Sequence, residues 1–506
     1  MRELLLVLDF GGQYKELIAG LVRSLSVYAE IKQGGISANE VKKLNPIGII
    51  LTGGPASVYL PASPKCDPKL FSLGIPILGI CYGMHLMCHM LGGLIKPGET
   101  GEYGSVPVTV KNSSVLFRGS DNTFDALMSH RDIVLKLPKG FTETAATPGC
   151  IAACENKGQK LYGLQFHPET KHTIGGNGII KRFLYDVCCA AGDYKLGDYM
   201  KTQIDAVRQI IGGQKIFLAL SGGVDSTVCA ALLSKAVANR LFCVFVDHGF
   251  MRLNEGDEIE GYFSKQPLIF KRVNAEKRFL TKIKGIKDPE LKRKRIGEEF
   301  IRVFEEEAGK LGGIPFFAQG TIYPDIVESG GGQNSVIKSH HNVGGLPENH
   351  SFGQVIEPLS GLFKDEVRML GKKLGLPNHM IYRQPFPGPG LAIRIMGEVT
   401  EEKLDILRIS DAITREEIAA AKRVPSQYFA VLTDTYTVGV KGDSRTYDPV
   451  VAIRAVTTDD FMTCNYAALP HSVLNKISQR ITREVPSVSR VVYDITSKPP
   501  ATVEWE

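Results

Sequence analysis

The 506 residues predict an α/β fold built twice along the chain and followed by a smaller α+β unit. Three observations carry that reading. Apolar runs at Leu4 to Leu8, Ile47 to Leu51 and Ile75 to Ile80 alternate with helical stretches, as in a mainly parallel sheet. A second series, Ile216 to Leu220, Leu241 to Val246 and Pro315 to Ala318, repeats the pattern. The run Pro385-Phe386-Pro387-Gly388-Pro389-Gly390 cannot form regular structure and marks a boundary before a helix (Glu401 to Lys422) and short alternating strands. The expected domains are residues 1–192, 193–384 and 385–506, since a chain of this length exceeds one core.

Composition bounds the function. Apolar content of 43% and charged content of 23% are those of a soluble globular protein. The N-terminal apolar run is too short for a signal peptide and Asp9 stops it, while no run approaches a membrane span. Ten scattered cysteines without a CxxC pair suit reduced thiols, so a cytoplasmic location is expected. The net charge of +6 is uneven: residues 271–295 hold eleven Lys/Arg against Glu276, Asp288 and Glu290. With few aromatics interleaved, a solvated helix face or a phosphate site fits that segment better than nucleic acid does.

In the first domain the third apolar run ends in Gly79-Ile80-Cys81-Tyr82-Gly83-Met84-His85, and a helical pattern begins at once. A cysteine on a sharp strand-to-helix turn is exposed as a nucleophile, and a helix N-terminus favours a thiolate. Gly79 and Gly83 permit the tight turn. Later comes Gln165-Phe166-His167-Pro168-Glu169; the proline makes His167 extended, so the side chains of 167 and 169 share one side. That suits an imidazole activating a thiol and a carboxylate orienting the imidazole. Leu51-Thr52-Gly53-Gly54-Pro55 offers a glycine turn able to donate an N–H to an oxyanion. Cys81, His85 and His89 also fall on one helix face, as a metal site could, but no fourth ligand is evident. Cys150 and Cys154 lack neighbouring histidines and read as small core residues.

These three motifs resemble the class I glutamine amidotransferases. The resemblance implies Cys81 as nucleophile, His167 as general base and Glu169 as its orienter, with the backbone N–H groups of Gly54 and Tyr82 facing the oxyanion. The family usually has Gln after Cys-Tyr-Gly-Met; this chain has His85, at a position that helps hold glutamine.

The middle domain is organised around Ser221-Gly222-Gly223-Val224-Asp225-Ser226, between an apolar run and a helical one. Two glycines let the backbone approach an anion at a helix N-terminus, hydroxyls of Ser221, Ser226 and Thr227 add donors, and Asp225 suits a Mg²⁺ escorting phosphates. The lysine and spacing of the Gly-Lys-Ser/Thr nucleotide loop are absent. The motif resembles the pyrophosphate loop of the ATP pyrophosphatases. Further on, Ser329 to Gln333 and Lys338-Ser339-His340-His341-Asn342 read as a cationic lid on a flexible loop, or as a simple exposed basic loop. Lys364-Asp365-Glu366 opens a helix, where acidic residues also serve as plain capping chemistry.

In combination, the motifs from Cys81 through the Gly320-Thr321-Ile322-Tyr323-Pro324-Asp325 run to the carboxyl tail resemble the glutamine-hydrolysing GMP synthetases, end to end and in the short form. That resemblance implies a class I amidotransferase domain, a doubly wound ATP-pyrophosphatase domain and a C-terminal α+β domain that makes a homodimer. It implies ATP-dependent amination of xanthosine 5′-monophosphate (XMP), with Mg²⁺ accompanying ATP and glutamine as the nitrogen source. Ser221 to Thr227 and Val246 are implied in ATP binding, and Asp325, Glu328, Lys338, His340, His341, Lys364 and Asp365 in nucleotide handling and lid closure. Arg293, Arg490, Lys498 and Glu504 match XMP positions. Gln384 replaces the usual His before the Pro-Gly run. Neither nucleic acid nor membrane is an expected partner.

A different class of reading, motivated by His85, is a nucleotide-binding regulator, or a synthetase fed only by ammonia because its glutaminase is impaired. Turnover with glutamine separates these from the main reading. Another ATP pyrophosphatase, such as an NAD synthetase, is set apart by the substrate-like tail.

Overall fold

Runs of buried aliphatic residues build three sheets, and the chain divides into two units, Met1–Lys195 with one sheet and Leu196–Glu506 with two. The computed structural model describes residues 3–312, 314–328, 337–338, 354–458 and 463–506. Among these, no helix is long and apolar enough to cross a membrane.

The first unit holds a nine-stranded sheet. Strands Ala29–Gln33, Leu5–Asp9, Gly48–Leu51, Ile77–Ile80 and Leu161–Leu164 lie side by side in parallel, and the central ones are wholly buried. Helix Ala38–Leu44 starts on a capping box between Ser37 and Glu40. The sheet then continues through Ile151–Asn156, Thr142–Ala146, Leu94–Val110 and Thr123–Lys136, every pair antiparallel. The mainly parallel sheet expected from the sequence is thus parallel over one half only. Leu94–Val110 hid from pattern reading because Pro97, Gly98, Gly101, Gly104 and Pro107 interrupt it, and its pairing with Thr123–Lys136 shifts register after Pro97.

The second unit contains the sheet Ile269–Asn274, Leu241–Asp247, Ile216–Leu220, Phe316–Ala318, Gln354–Ile356 and Ile337–Lys338, parallel except for its last pair. Beyond Gly390 come helix Glu401–Ala419, the long hairpin Gln427–Lys441 and Ser444–Thr457, helix His471–Glu484 and strand Arg490–Asp494, parallel to the second hairpin strand. One apolar cluster runs from Phe217, Phe279 and Phe317 through Leu391 and Leu404 to Ile453 and Ile481, so residues before and after the Pro-Gly run share a core.

The carboxyl end is anchored rather than frayed. Trp505 donates its indole N–H to Asp494 (3.0 Å) and packs with Val503 against Phe429, Val431 and Ala452. Glu504 takes both prongs of the fully buried Arg394 at 2.9 and 2.7 Å, and Glu506 pairs with the buried Lys292.

Candidate active sites

In the first unit Cys81 sits between strand Ile77–Ile80 and helix Tyr82–Met90 with φ +52° and ψ −107°, a conformation that strains any residue with a Cβ. Its neighbours explain how the turn closes. A Cβ on Gly79 would lie 2.6 Å from the Gly83 carbonyl, and one on Gly83 would lie 2.3 Å from the Leu51 carbonyl. A Cβ on Gly53 would stand 3.2 Å from His167 Cε1 and 3.7 Å from Cys81 Cβ, so that glycine leaves the space in which imidazole and thiol meet.

His167 donates through Nδ1 to Glu169 Oε1 at 2.7 Å, and the Tyr14 ring stands edge-on to the imidazole at 5.0 Å. Burial acts hardest on His167 and opposes its charge, yet the Glu169 carboxylate and the Cys81 sulfur outweigh it, and the pKa is pushed up to about 10. Strand Leu161–Leu164 ends before His167, and the hydroxyls of Thr170 and Thr173 donate to the His167 carbonyl at 3.1 and 2.7 Å. The side chains of His167 and Glu169 meet there.

A cavity of about 460 Å³ opens on Cys81 and is lined by Gly54, Tyr82, His85, Tyr103 and His130 among others. Tyr82, first in its helix, has no carbonyl one turn back for its N–H. His85 is buried, with Nε2 at 2.5 Å from Gln165 Oε1, while Gln165 Nε2 lies 3.8 Å from Cys81 Sγ. Burial pushes the His85 pKa down to about 4, so it meets Gln165 as a neutral ring. Gln165 was missed in the sequence, although it stands two residues before His167. Cys81, His85 and His89 are not gathered around one point. Among the described residues, the cluster with metal-ligand spacing is Glu102, His130 and Cys150. Cys150 does have a histidine neighbour, contrary to the sequence reading, because sheet pairing brings His130 to it.

In the second unit Gly222 has φ +74°, and Gly223 precedes helix Val224–Val237 without a side-chain cap. Ser221 Oγ accepts from Gly223 N–H (3.2 Å) and meets Ser226 Oγ (3.0 Å), which holds the turn open to an anion. A cavity of about 450 Å³ is lined by Ser221 to Asp225, Val246, Lys364 and Arg383. Ser226 and Thr227 are buried behind it. Asp225 Oδ2 meets Lys364 Nζ at 2.6 Å, whereas Asp225 Oδ1 is buried and has no hydrogen-bond partner. A hard carboxylate oxygen left unpaired at a phosphate cradle fits Mg²⁺.

Other expected residues lie elsewhere. Asp365 is exposed and pairs with Arg368 at 3.0 Å. Asp325 accepts the Ile322 N–H at 2.9 Å, a capping role. Glu328 ends helix Tyr323–Glu328, Lys338 lies in Ile337–Lys338, and His340 and His341 fall outside the described residues, as does Ser329 to Gln333. Arg293 reaches the Glu506 carbonyl, Arg490 donates to Thr437 at 3.3 Å, and Lys498 pairs through its backbone with Cys464. The basic segment is largely matched by acids from outside it: Lys271 with Glu307, Arg272 with Asp247, Asp257 and Glu260, and Arg278 with Glu299 and Glu306.

Sequence reading also missed Arg383. Half-buried beside the loop, it donates to the Gly222 carbonyl and pairs with the buried Glu255. Its neighbour Gln384 accepts the Tyr428 N–H at 2.8 Å and so ties the Pro-Gly run to the long hairpin.

Residues 6–187 match the family model of class-I glutamine amidotransferases, and residues 414–505 that of the GMP synthase C terminal domain. The whole chain is 57% identical to the GMP synthase [glutamine-hydrolyzing] of Acetivibrio thermocellus, over 100% of this chain and 99% of that one. Its counterparts in Finegoldia magna and Clostridium perfringens are each 54% identical, over 100% of this chain and 99% and 100% of theirs.

Proposed function

The chain belongs to the glutamine-hydrolysing GMP synthases, ATP-dependent carbon–nitrogen ligases of purine synthesis, and we propose that its two cavities divide that reaction between them. In the first, the Cys81 thiolate attacks the glutamine carboxamide and the N–H groups of Gly54 and Tyr82 receive the oxyanion. The His167 imidazolium, held by Glu169, passes its proton to the departing nitrogen, and ammonia leaves behind a thioester. His167 then takes a proton from water as it hydrolyses the thioester to glutamate. In the second, the loop Ser221 to Ser226 holds the ATP phosphates while the O2 oxygen of XMP attacks the α-phosphorus and pyrophosphate departs. Ammonia then displaces AMP at C2, giving GMP.

Asp225, through its unpartnered Oδ1, is the residue to hold Mg²⁺, which would offset phosphate charge. Arg293, Arg490, Lys498 and Glu504 are assigned to XMP, and Asp325, Glu328, Lys338, His340, His341, Lys364 and Asp365 to nucleotide handling. A cytoplasmic homodimer joined through residues 385–506 completes the proposal, and sedimentation equilibrium checks it.

The observation that carries the division is the strained Cys81 beside a His167 held charged by Glu169, in a chain that also bears an open phosphate turn. The test is GMP formation from XMP and Mg-ATP with glutamine and, separately, with ammonium. Cys81→Ala should lose the first and keep the second; loss of both sinks the division.

A further inference from the structure

We propose that Glu102, His130 and Cys150 form a binding site for one zinc-like divalent cation in the wall of the Cys81 cavity, outside the glutaminase machinery. Sheet register creates the cluster. Glu102 and His130 are directly opposed on the antiparallel strands Leu94–Val110 and Thr123–Lys136, and Cys150 precedes strand Ile151–Asn156.

The spacing suits a tetrahedral ion. With bonds of about 2.0–2.1 Å to N and O and about 2.3 Å to S, tetrahedral angles place N and O about 3.3 Å apart and S about 3.6 Å from each. Here His130 Nε2 lies 3.1 Å from Glu102 Oε2, Cys150 Sγ 3.3 Å from Glu102 Oε2 and Cys150 Sγ 3.9 Å from His130 Nε2. One nitrogen, one sulfur and one carboxylate oxygen therefore already face one point at nearly the required separations.

The surroundings prepare those atoms as ligands. His130 Nδ1 lies 3.0 Å from the Asp132 carbonyl, which can only accept, so Nδ1 carries a proton. That leaves Nε2 as the ring atom aimed at Glu102 Oε2, where a proton or a cation can sit between the two. The other carboxylate oxygen, Oε1, accepts the Thr147 hydroxyl at 2.7 Å, and Thr147 Oγ1 takes the N–H groups of Gly149 and Cys150 at 3.1 and 3.0 Å. Carbonyl-fixed imidazole and hydroxyl-fixed carboxylate are what orients metal ligands elsewhere. On binding, the Cys150 thiol gives its proton to solvent and the sulfur bonds the ion as thiolate, so no redox partner is needed. His130 lines the Cys81 cavity and presents its ring to His85 at 6.5 Å, so the ion would stiffen that wall.

The experiment titrates Co²⁺ into the full chain carrying Cys81→Ala, which removes the nucleophile as a competing thiolate. The expected result is a thiolate-to-cobalt charge-transfer band that saturates at one equivalent, is bleached by Zn²⁺, vanishes with Cys150→Ser and needs about tenfold more Co²⁺ with Glu102→Gln. Absence of the band in Cys81→Ala, or its survival in Cys150→Ser, overturns the proposal. Should Cys150→Ser fail to fold, the melting temperature of Cys81→Ala decides the same point. A Zn²⁺-induced rise that Glu102→Gln removes supports the site, and a rise that persists, or none, overturns it.

Discussion

The Nδ1 atom of His167 lies 2.7 Å from Glu169 Oε1, and both side chains are almost wholly out of solvent. The pair fixes which ring nitrogen is left for Cys81 and keeps the ring charged: the folded pKa of about 10 exceeds the ordinary 6.5. A raised folded pKa stabilises the fold fully below about pH 6.5, and that contribution is lost as pH rises toward about 10. Glu169→Gln should cut glutamine hydrolysis by about 10²–10⁴-fold and move the alkaline limb of its pH profile to lower pH. An unmoved limb in kcat/KM profiles would show that Glu169 does not control the proton on His167.

Cys81 is held at φ +52°, where side chains with a Cβ carry strain of about 1–3 kcal/mol. Cys81→Gly and Cys81→Ala both remove the sulfur, but only glycine relieves the backbone. Urea denaturation should place Cys81→Gly about 1 kcal/mol above Cys81→Ala, with glutaminase activity absent from both. Equal stabilities would mean that the elbow stores no strain.

His85 bonds Gln165 as a neutral ring because burial holds its pKa near 4. Between about pH 6.5 and 4 the unfolded chain takes up a proton that the folded chain refuses, so stability falls as the medium is acidified through that range. His85→Gln keeps a donor for Gln165 and should remain active while losing this acid sensitivity. His85→Leu leaves Gln165 Oε1 without its partner and should cost about 1–3 kcal/mol. Chemical denaturation of the three proteins at pH 5 and pH 7 checks the pattern.

Much of both sites could be read from the chain because each depends on a local device. Gly79 and Gly83 around Cys81, and Gly222 and Gly223 before Asp225, are needed within a few residues of the groups they serve. What stayed hidden depends on distant pairing. Glu102 meets His130 only through an antiparallel register that Pro97 and Gly101 obscure, and Arg383 finds Glu255 only once helix Glu255–Phe263 has packed beside the loop. Likewise, the charge of residues 271–295 left a solvated helix face and a phosphate site both open, because acids such as Glu299 and Glu307 that pair with it lie outside the segment. Proximity in sequence reveals turns; proximity across a sheet or between helices does not.

Asp225 and Lys364 meet at 2.6 Å at the mouth of the phosphate turn, both partly exposed. Such a pair contributes at most about 1 kcal/mol to stability, so its value lies in placing charge. Asp225→Asn and Lys364→Met should each lower GMP formation by about 10²-fold or more with either nitrogen source, and leave the melting temperature nearly unchanged. Loss with glutamine alone would move both residues out of the ATP site.

Glu504 is assigned to XMP although Arg394 already grips both of its oxygens. Arg394 is fully buried between the rings of Phe386 and Phe429, at 5.3 and 3.9 Å from their centres, so a missing carboxylate leaves a buried charge without its counter-charge. Glu504→Gln should destabilise the chain by about 3–5 kcal/mol, and Arg394→Met with Glu504→Gln should recover most of that loss. The XMP assignment adds a second expectation. In the stabilised double variant the KM for XMP should still be raised if Glu504 meets the nucleotide, and should return to that of the parent if the carboxylate serves Arg394 alone. Denaturation together with XMP saturation kinetics on the three proteins separates anchoring from recognition.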